Sequence, residues 1–176
     1  VGGRLAEKLA GKGVSLIVTD TVRGRQDAVV RATGARAVAP EEILAADCDI
    51  FSPNAAGGVL TPTTVADLRC AAIVGAANNP LASPEVGLEL HRCGVLYAPD
   101  FVVNAGGLLS VLLETGVLDE TGIVARVQRI GADLAELLDR AECQSAPPFR
   151  VADQVVAERL AVARAIVDER TSTQEV

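Results

Sequence analysis

The chain has 176 residues, 49% of them apolar but only 2% aromatic, and a formal net charge of -7. That length suits one domain with a sizeable core, which must be built from Ala, Val, Leu and Ile. The acidic balance and the lack of Lys/Arg runs argue against a nucleic-acid-binding surface, and no apolar stretch approaches the ~18 residues needed to span a bilayer.

The opening "VGGRLAEKLAGKG" predicts an amphipathic helix. Leu5 and Leu9 share one face, and Gly13 is placed to end it. With no charged head before an apolar block, it does not read as a signal peptide. "VSLIVTD" is almost continuously apolar, as a strand in a parallel sheet requires. "RGRQDAVVRATGA" predicts a second helix, "RAVA" a short strand, and "PEEILAAD" a short helix with Pro40 at its start. "CDIFSP" predicts a buried strand and "TPTTVADLR" a helix capped by Thr61 or Thr63. "CAAIVGAAN" predicts a strand, "SPEVGLELHRCG" a helix capped by Ser83, and "VLYAP" a further strand. Beyond residue 103 the strand pattern stops. "NAGGLLSVLLETGVL", "ETGIVARVQRIGADLAELLDRA" and "RVADQVVAERLAVARAIVDER" predict three helices.

Regular alternation of helix and strand with short loops predicts an α/β fold, a doubly wound parallel sheet followed by C-terminal helices. The expected organisation is a core over 1–103, helices of the same domain over 104–170, and a tail over 171–176. The chain opens at Val1, inside what reads as a glycine motif, so the first strand of a Rossmann-like sheet is expected to be missing. That strand belongs at the sheet centre, and without it self-association or instability is expected.

In open parallel sheets ligands bind beyond the carboxyl ends of the strands. Four segments fall there: Asp20, "PNAAGG" over 53–58, "AANN" over 76–79, and "NAGG" over 104–107. Small residues and amides suit a flat, polar, extended ligand approached closely by backbone. Asp20 either holds the two hydroxyls of a ribose, which favours NAD over NADP, or caps the next helix; Arg23 and Arg25 nearby weaken that preference. Gly2 sits where the last glycine of a dinucleotide loop would fall. Asn78 and Asn79 can donate and accept at once, or simply shape a loop turn. Asn104 can be a helix N-cap or a ligand contact. Cys48, Cys70, Cys93 and Cys143 are too dispersed for a zinc site with the lone His91, and read as core thiols of a reducing, cytoplasmic setting. His91 reads as a helix-end residue.

"LIVTD", "CDIFSP", "GAANN" and "GVLYAPDFVVNAGG" together resemble the C-terminal, nucleotide-binding domain of the glutamate/leucine/phenylalanine/valine amino-acid dehydrogenases, with the leucine, valine and phenylalanine branch nearest. The likeness runs from Val1 to about Arg170, and "YAPDFVVNAGG" is its most specific string. It implies an NAD-dependent enzyme that oxidatively deaminates an apolar L-amino acid to its 2-oxo acid and ammonia. By position, it implies cofactor contacts at Gly2, Asp20, Ala55, Ala56, Asn78 and Asn104. Asn78 would also face the substrate, and Leu108 and Val111 would wall its side-chain pocket. It implies no catalytic residue in this chain, because the family's two lysines lie in an N-terminal domain expected to be missing here; no metal site is expected either, from the cysteine and histidine spacing. The full-length form is expected to be a homo-oligomer. Asn54 and Ala56 depart from the family's Cys-Ala-Leu/Met-Gly pattern, with looser cofactor contact the expected result. The alternatives are a catalytically silent nucleotide-binding module and a glutamate-type dehydrogenase domain.

Overall fold

A computed structural model describes residues 1–174 in backbone and the side chains of residues 1–166. Helix α1 (Gly2–Ala10) leads to strand β1 (Ile17–Val18), and α2 (Arg23–Thr33) to β2 (Arg36–Ala37). Gly34 closes α2 in the left-handed conformation, φ 72°, as a residue without Cβ readily does. Strand β3 (Ile50–Phe51), helix α3 (Pro62–Val65), β4 (Ala72–Ile73), α4 (Pro84–Arg92) and β5 (Leu96–Tyr97) complete the alternating part. Helices α5 (Asp100–Val103), α6 (Gly106–Glu114), α7 (Glu120–Cys143) and α8 (Pro148–Gln174) follow.

All strand pairings are parallel, as the apolar runs predict. They form two ladders, β1-β2 and β3-β4-β5. The register sets Ile50 beside Ala72 and Ala72 beside Leu96. Strands β1 and β3 are both edges, with no pairing between them among the described residues.

The core lies over the three-stranded ladder. Leu60, Ile73, Val86 and Leu90 are essentially sealed from water, with Val65 and Tyr97 beside them. Each fully buried aliphatic side chain contributes roughly 1.5–3 kcal/mol. A second cluster, Leu137, Ala141, Val151 and Ala152, joins α7 to α8 and is flanked by Val102 of α5. Gly87 in α4 ties the two together: a Cβ there would stand 2.7 Å from the Phe149 ring of α8.

Four expectations need correction. "PEEILAAD" makes successive turns and no helix. Glu42 N–H and Ala46 N–H each reach back three residues, and the Glu42 carboxylate takes the Ala39 N–H, so the first turn is closed but not propagated. Ser83 occupies the N-cap of α4 without capping it. Its hydroxyl turns to Glu85 instead and lowers that carboxyl's pKa from its ordinary value. Of the cysteines only Cys70 packs against the core; Cys48 is half-buried, and Cys93 and Cys143 are exposed. Finally, α8 runs to Gln174, through most of the expected tail; residues 175–176 lie outside the described residues. Thr61, by contrast, caps α3 in a reciprocal pair with Thr64.

Candidate functional site

The loops leaving β3 and β4 run side by side beyond the strand ends. Ala77 N–H donates to Pro53 O (2.9 Å), Gly58 N–H to Asn79 O (2.8 Å) and Leu60 N–H to Pro80 O (2.9 Å). So close an approach needs residues without side chains. A Cβ on Gly57 would lie 2.8 Å from Asn78 O, and one on Gly75 would overlap the Pro53 backbone.

Asn54 stitches this rim. Its Nδ2 donates to Ser52 O (2.9 Å) and Ser52 Oγ (3.0 Å), and its Oδ1 accepts Ala76 N–H (3.1 Å). The start of α1 rests on the same residue, since a Cβ on Gly2 would be 3.1 Å from Asn54 Cβ. The Asn54 amide is therefore turned onto its own chain and braces the loop. Asp100, at the first turn of α5, holds the rim from the other side. Its Oδ2 accepts Asn79 N–H (2.7 Å), and its Oδ1 accepts the Tyr97 hydroxyl (3.2 Å). Burial, and then the adjacent Asp100 charge, push the Tyr97 phenol above its ordinary value.

Gly2, the 53–58 loop, the 75–79 loop and the start of α5 are thus joined by contacts. Ala55 and Ala56 are exposed at the tip of their loop. Asn78 is exposed, and among the described residues its amide has no partner. No side-chain hydrogen bond shapes an Asx turn at Asn78 or Asn79; instead Asn79 adopts φ 50°, which asparagine tolerates better than most residues. Asn104 does not cap α6, whose N-cap is Ala105; it closes α5 instead. Gly106 and Gly107 face open space, with nothing within 4 Å of an added Cβ.

Asp20 has no hydrogen bond to this group among the described residues. It follows β1, on the other ladder. Its Oδ1 accepts Val22 N–H (2.8 Å), an Asx turn ahead of α2; Val22, not Asp20, holds the N-cap position. Thr19 Oγ1 beside it is buried without a hydrogen-bond partner. Leu108 is 70% exposed and Val111 46%, three residues apart on one helical face, so nothing described here covers that apolar surface.

His91 is exposed in the last turn of α4. Lys8 is in α1 and Lys12 in the turn beyond it, at the end of that helix remote from Gly2. A depression lined by Arg36, Val38, Glu42 and Asp47 contains none of the expected site residues. Sequence reasoning passed over the bracing roles of Asn54 and Asp100. The available signal for Asp100 was an acid after Pro99 at a strand end, the pattern of a helix start.

The family model for glutamate/leucine/phenylalanine/valine dehydrogenases matches residues 14–144. A valine dehydrogenase of Streptomyces albus is 39% identical over 94% of this chain and 46% of its own length. A leucine dehydrogenase of Bacillus subtilis is 34% identical over 91% of this chain and 44% of its own. The crystal structure of L-tryptophan dehydrogenase from Nostoc punctiforme superposes with a TM-score of 0.89 at 34% identity, covering 94% of this chain and 50% of that one. The chain spans about half the length of the curated relatives it matches. With a match over most of its residues and a parallel α/β fold to accompany it, this chain belongs to the glutamate/leucine/phenylalanine/valine dehydrogenase family.

Proposed function

We propose that this chain is the NAD-binding part of an L-amino-acid dehydrogenase acting on a branched-chain or similar apolar amino acid. The observation that carries the reading is the braced rim, where Gly2, Asn54, Asn78 and Asp100 gather strand-end loops made of small residues and free amides. Such a rim suits a dinucleotide lying across it.

The residues fit NAD. The first turn of α1 leaves main-chain N–H groups without intrahelical partners beside Gly2, where a pyrophosphate is stabilised. Asp20 keeps one carboxylate oxygen outside its Asx turn for the adenosine ribose, and the neighbouring Thr19 hydroxyl lacks a partner. A carboxylate there also repels a 2'-phosphate. Ala55 and Ala56 pass the nicotinamide ribose without bulk. Asn78 and Asn104 offer amides at the nicotinamide end, Asn78 also to the substrate carboxylate. Leu108 and Val111 wall the substrate side chain. When bound, NAD supplies the acceptor for the hydride leaving the substrate α-carbon.

The general base must stand within hydrogen-bond reach of the proton it takes. Lys8 and Lys12 are badly placed for that, so we assign the catalytic lysines to a further, N-terminal domain of the full-length protein. The unpaired edges of β1 and β3 support a further strand from the same region, between the two ladders. Exposed apolar residues along α7 and α8, among them Val124, Val127, Val156 and Leu160, suit burial in a homo-oligomer. Four free thiols suit a cytoplasmic setting.

Titration of the full-length protein with NAD and with NADP, as wild type and as Asp20→Ala, tests the reading. NAD is expected to bind more tightly, and Asp20→Ala to weaken it about 10- to 100-fold, the scale of hydrogen bonds to a charged group. Equal affinity for both nucleotides, unchanged by the substitution, would remove the ribose assignment.

A further inference from the structure

We infer that Asn54 and Asp100 are a matched pair of positioning residues that fix the main chain on both sides of Asn78; the inference rests on the dehydrogenase reading above. Asn78 lies in a segment whose neighbours are held one by one. Ala76 N–H is bound by the Asn54 side chain at 3.1 Å, and Ala77 N–H by Pro53 O at 2.9 Å. Asn79 N–H is bound by Asp100 Oδ2 at 2.7 Å, and Asn79 O by Gly58 N–H at 2.8 Å. The side chains of Asn78 and Asn79 are exposed and unpartnered among the described residues, and of the two only the main chain of Asn79 is held on both its N–H and its carbonyl.

Two of these anchors are side chains, and both are themselves held. Asn54 uses its Nδ2 to grip Ser52 twice, which fixes the direction of Oδ1. Asp100 is aligned by the buried Tyr97 hydroxyl on its other oxygen. The left-handed backbone of Asn79, φ 50°, is retained because surrounding bonds over-determine it. Release of either anchor would let the 76–79 segment relax and carry Asn78 away from its working geometry.

The test uses the full-length protein as wild type, Asn54→Ala, Asp100→Ala and Asp100→Asn. Two quantities are read: hydrogen exchange at the Ala76 and Asn79 amides, and kcat set against KM for NAD. Asn54→Ala is expected to speed exchange at Ala76, and Asp100→Ala at Asn79. Each is expected to lower kcat about 10- to 100-fold, the cost of a misplacement near 1 Å, with a much smaller change in KM. Asp100→Asn, which keeps an acceptor oxygen, is expected to recover most of the loss. Faster exchange with unchanged kcat would overturn the positioning role while leaving the dehydrogenase reading intact. Unchanged exchange would overturn the anchors themselves. A wild type inactive on every amino acid tried would defeat the dehydrogenase reading instead, and with it the positioning role, whatever the amides show.

Discussion

The two ladders make unequal halves. Around β3, β4 and β5, six side chains form a sealed cluster, and the loops beyond the strands are tied by main-chain and side-chain bonds. Around β1 and β2 the strand residues are only partly covered or exposed, and the buried side chains are Ala6 and Ala35. A short apolar run therefore acquires very different stability according to what covers it. β4 sits between two strands and under α3 and α4, whereas β1 has one strand partner. Local stability follows buried apolar contact and protected hydrogen bonds, so the half around β3, β4 and β5 should open last.

The sharpest way to break this contrast is steric. Gly75→Ala drives a methyl into the Pro53 backbone, which cannot yield as a flexible side chain would. It is expected to cost more than about 3 kcal/mol in urea denaturation of the full-length protein, at the upper end for overpacking. In the same assay Leu90→Ala should cost about 2–5 kcal/mol, and Ile17→Ala in β1 clearly less. Equal losses at Leu90 and Ile17 would erase the distinction between the halves.

A smaller effect is expected from Tyr97. Its phenol is raised in the folded state above its ordinary 10.0, so the folded form holds its proton where the unfolded form has released it. Its contribution is complete below pH 10.0 and falls as pH rises beyond it, by about 1.4 kcal/mol per pH unit at most. Tyr97→Phe should flatten that alkaline slope in denaturation measured from pH 9 to 11 (roughly the phenol range). An unchanged slope would show that the phenol titrates freely.

The smallest concerns the C-terminal helices. The Glu158 carboxyl is lowered by its hydrogen bonds from Arg140, between α7 and α8. A lowered acid stabilises the fold above its ordinary pKa of 4.5 and loses that contribution as pH falls through the folded value. Because the pair is solvent-exposed, Glu158→Gln should shift the thermal midpoint only slightly at neutral pH and not at all in strong acid. A large shift would mean the pair is shielded by something further.

The parallel ladders and most helices were legible because buried strands and amphipathic helices leave periodic marks. "LIV" and "AIV" could only be sheltered runs, and Gly34 and Thr61 marked helix ends by their own chemistry. The segment after Pro40 was misread because glutamate, leucine and alanine favour helix, whereas local turns and the Glu42 side chain took its first hydrogen bonds. The strand-end loops of the rim could be singled out by position, but the directions of the Asn54 and Asp100 side chains depend on loops brought together by β3–β4 pairing. No local pattern encodes that.

Gly57 and Gly75 leave no vacancy for even one extra carbon. Directed evolution of this protein would therefore find these two rim positions nearly closed to variation. The neighbouring α6, with Gly106 and Gly107 in open space and Leu108 projecting freely, tolerates change at little penalty. On the proposed assignment of Leu108 and Val111 to the substrate wall, new specificities would come from rewriting that helix, while the brace stays as it is.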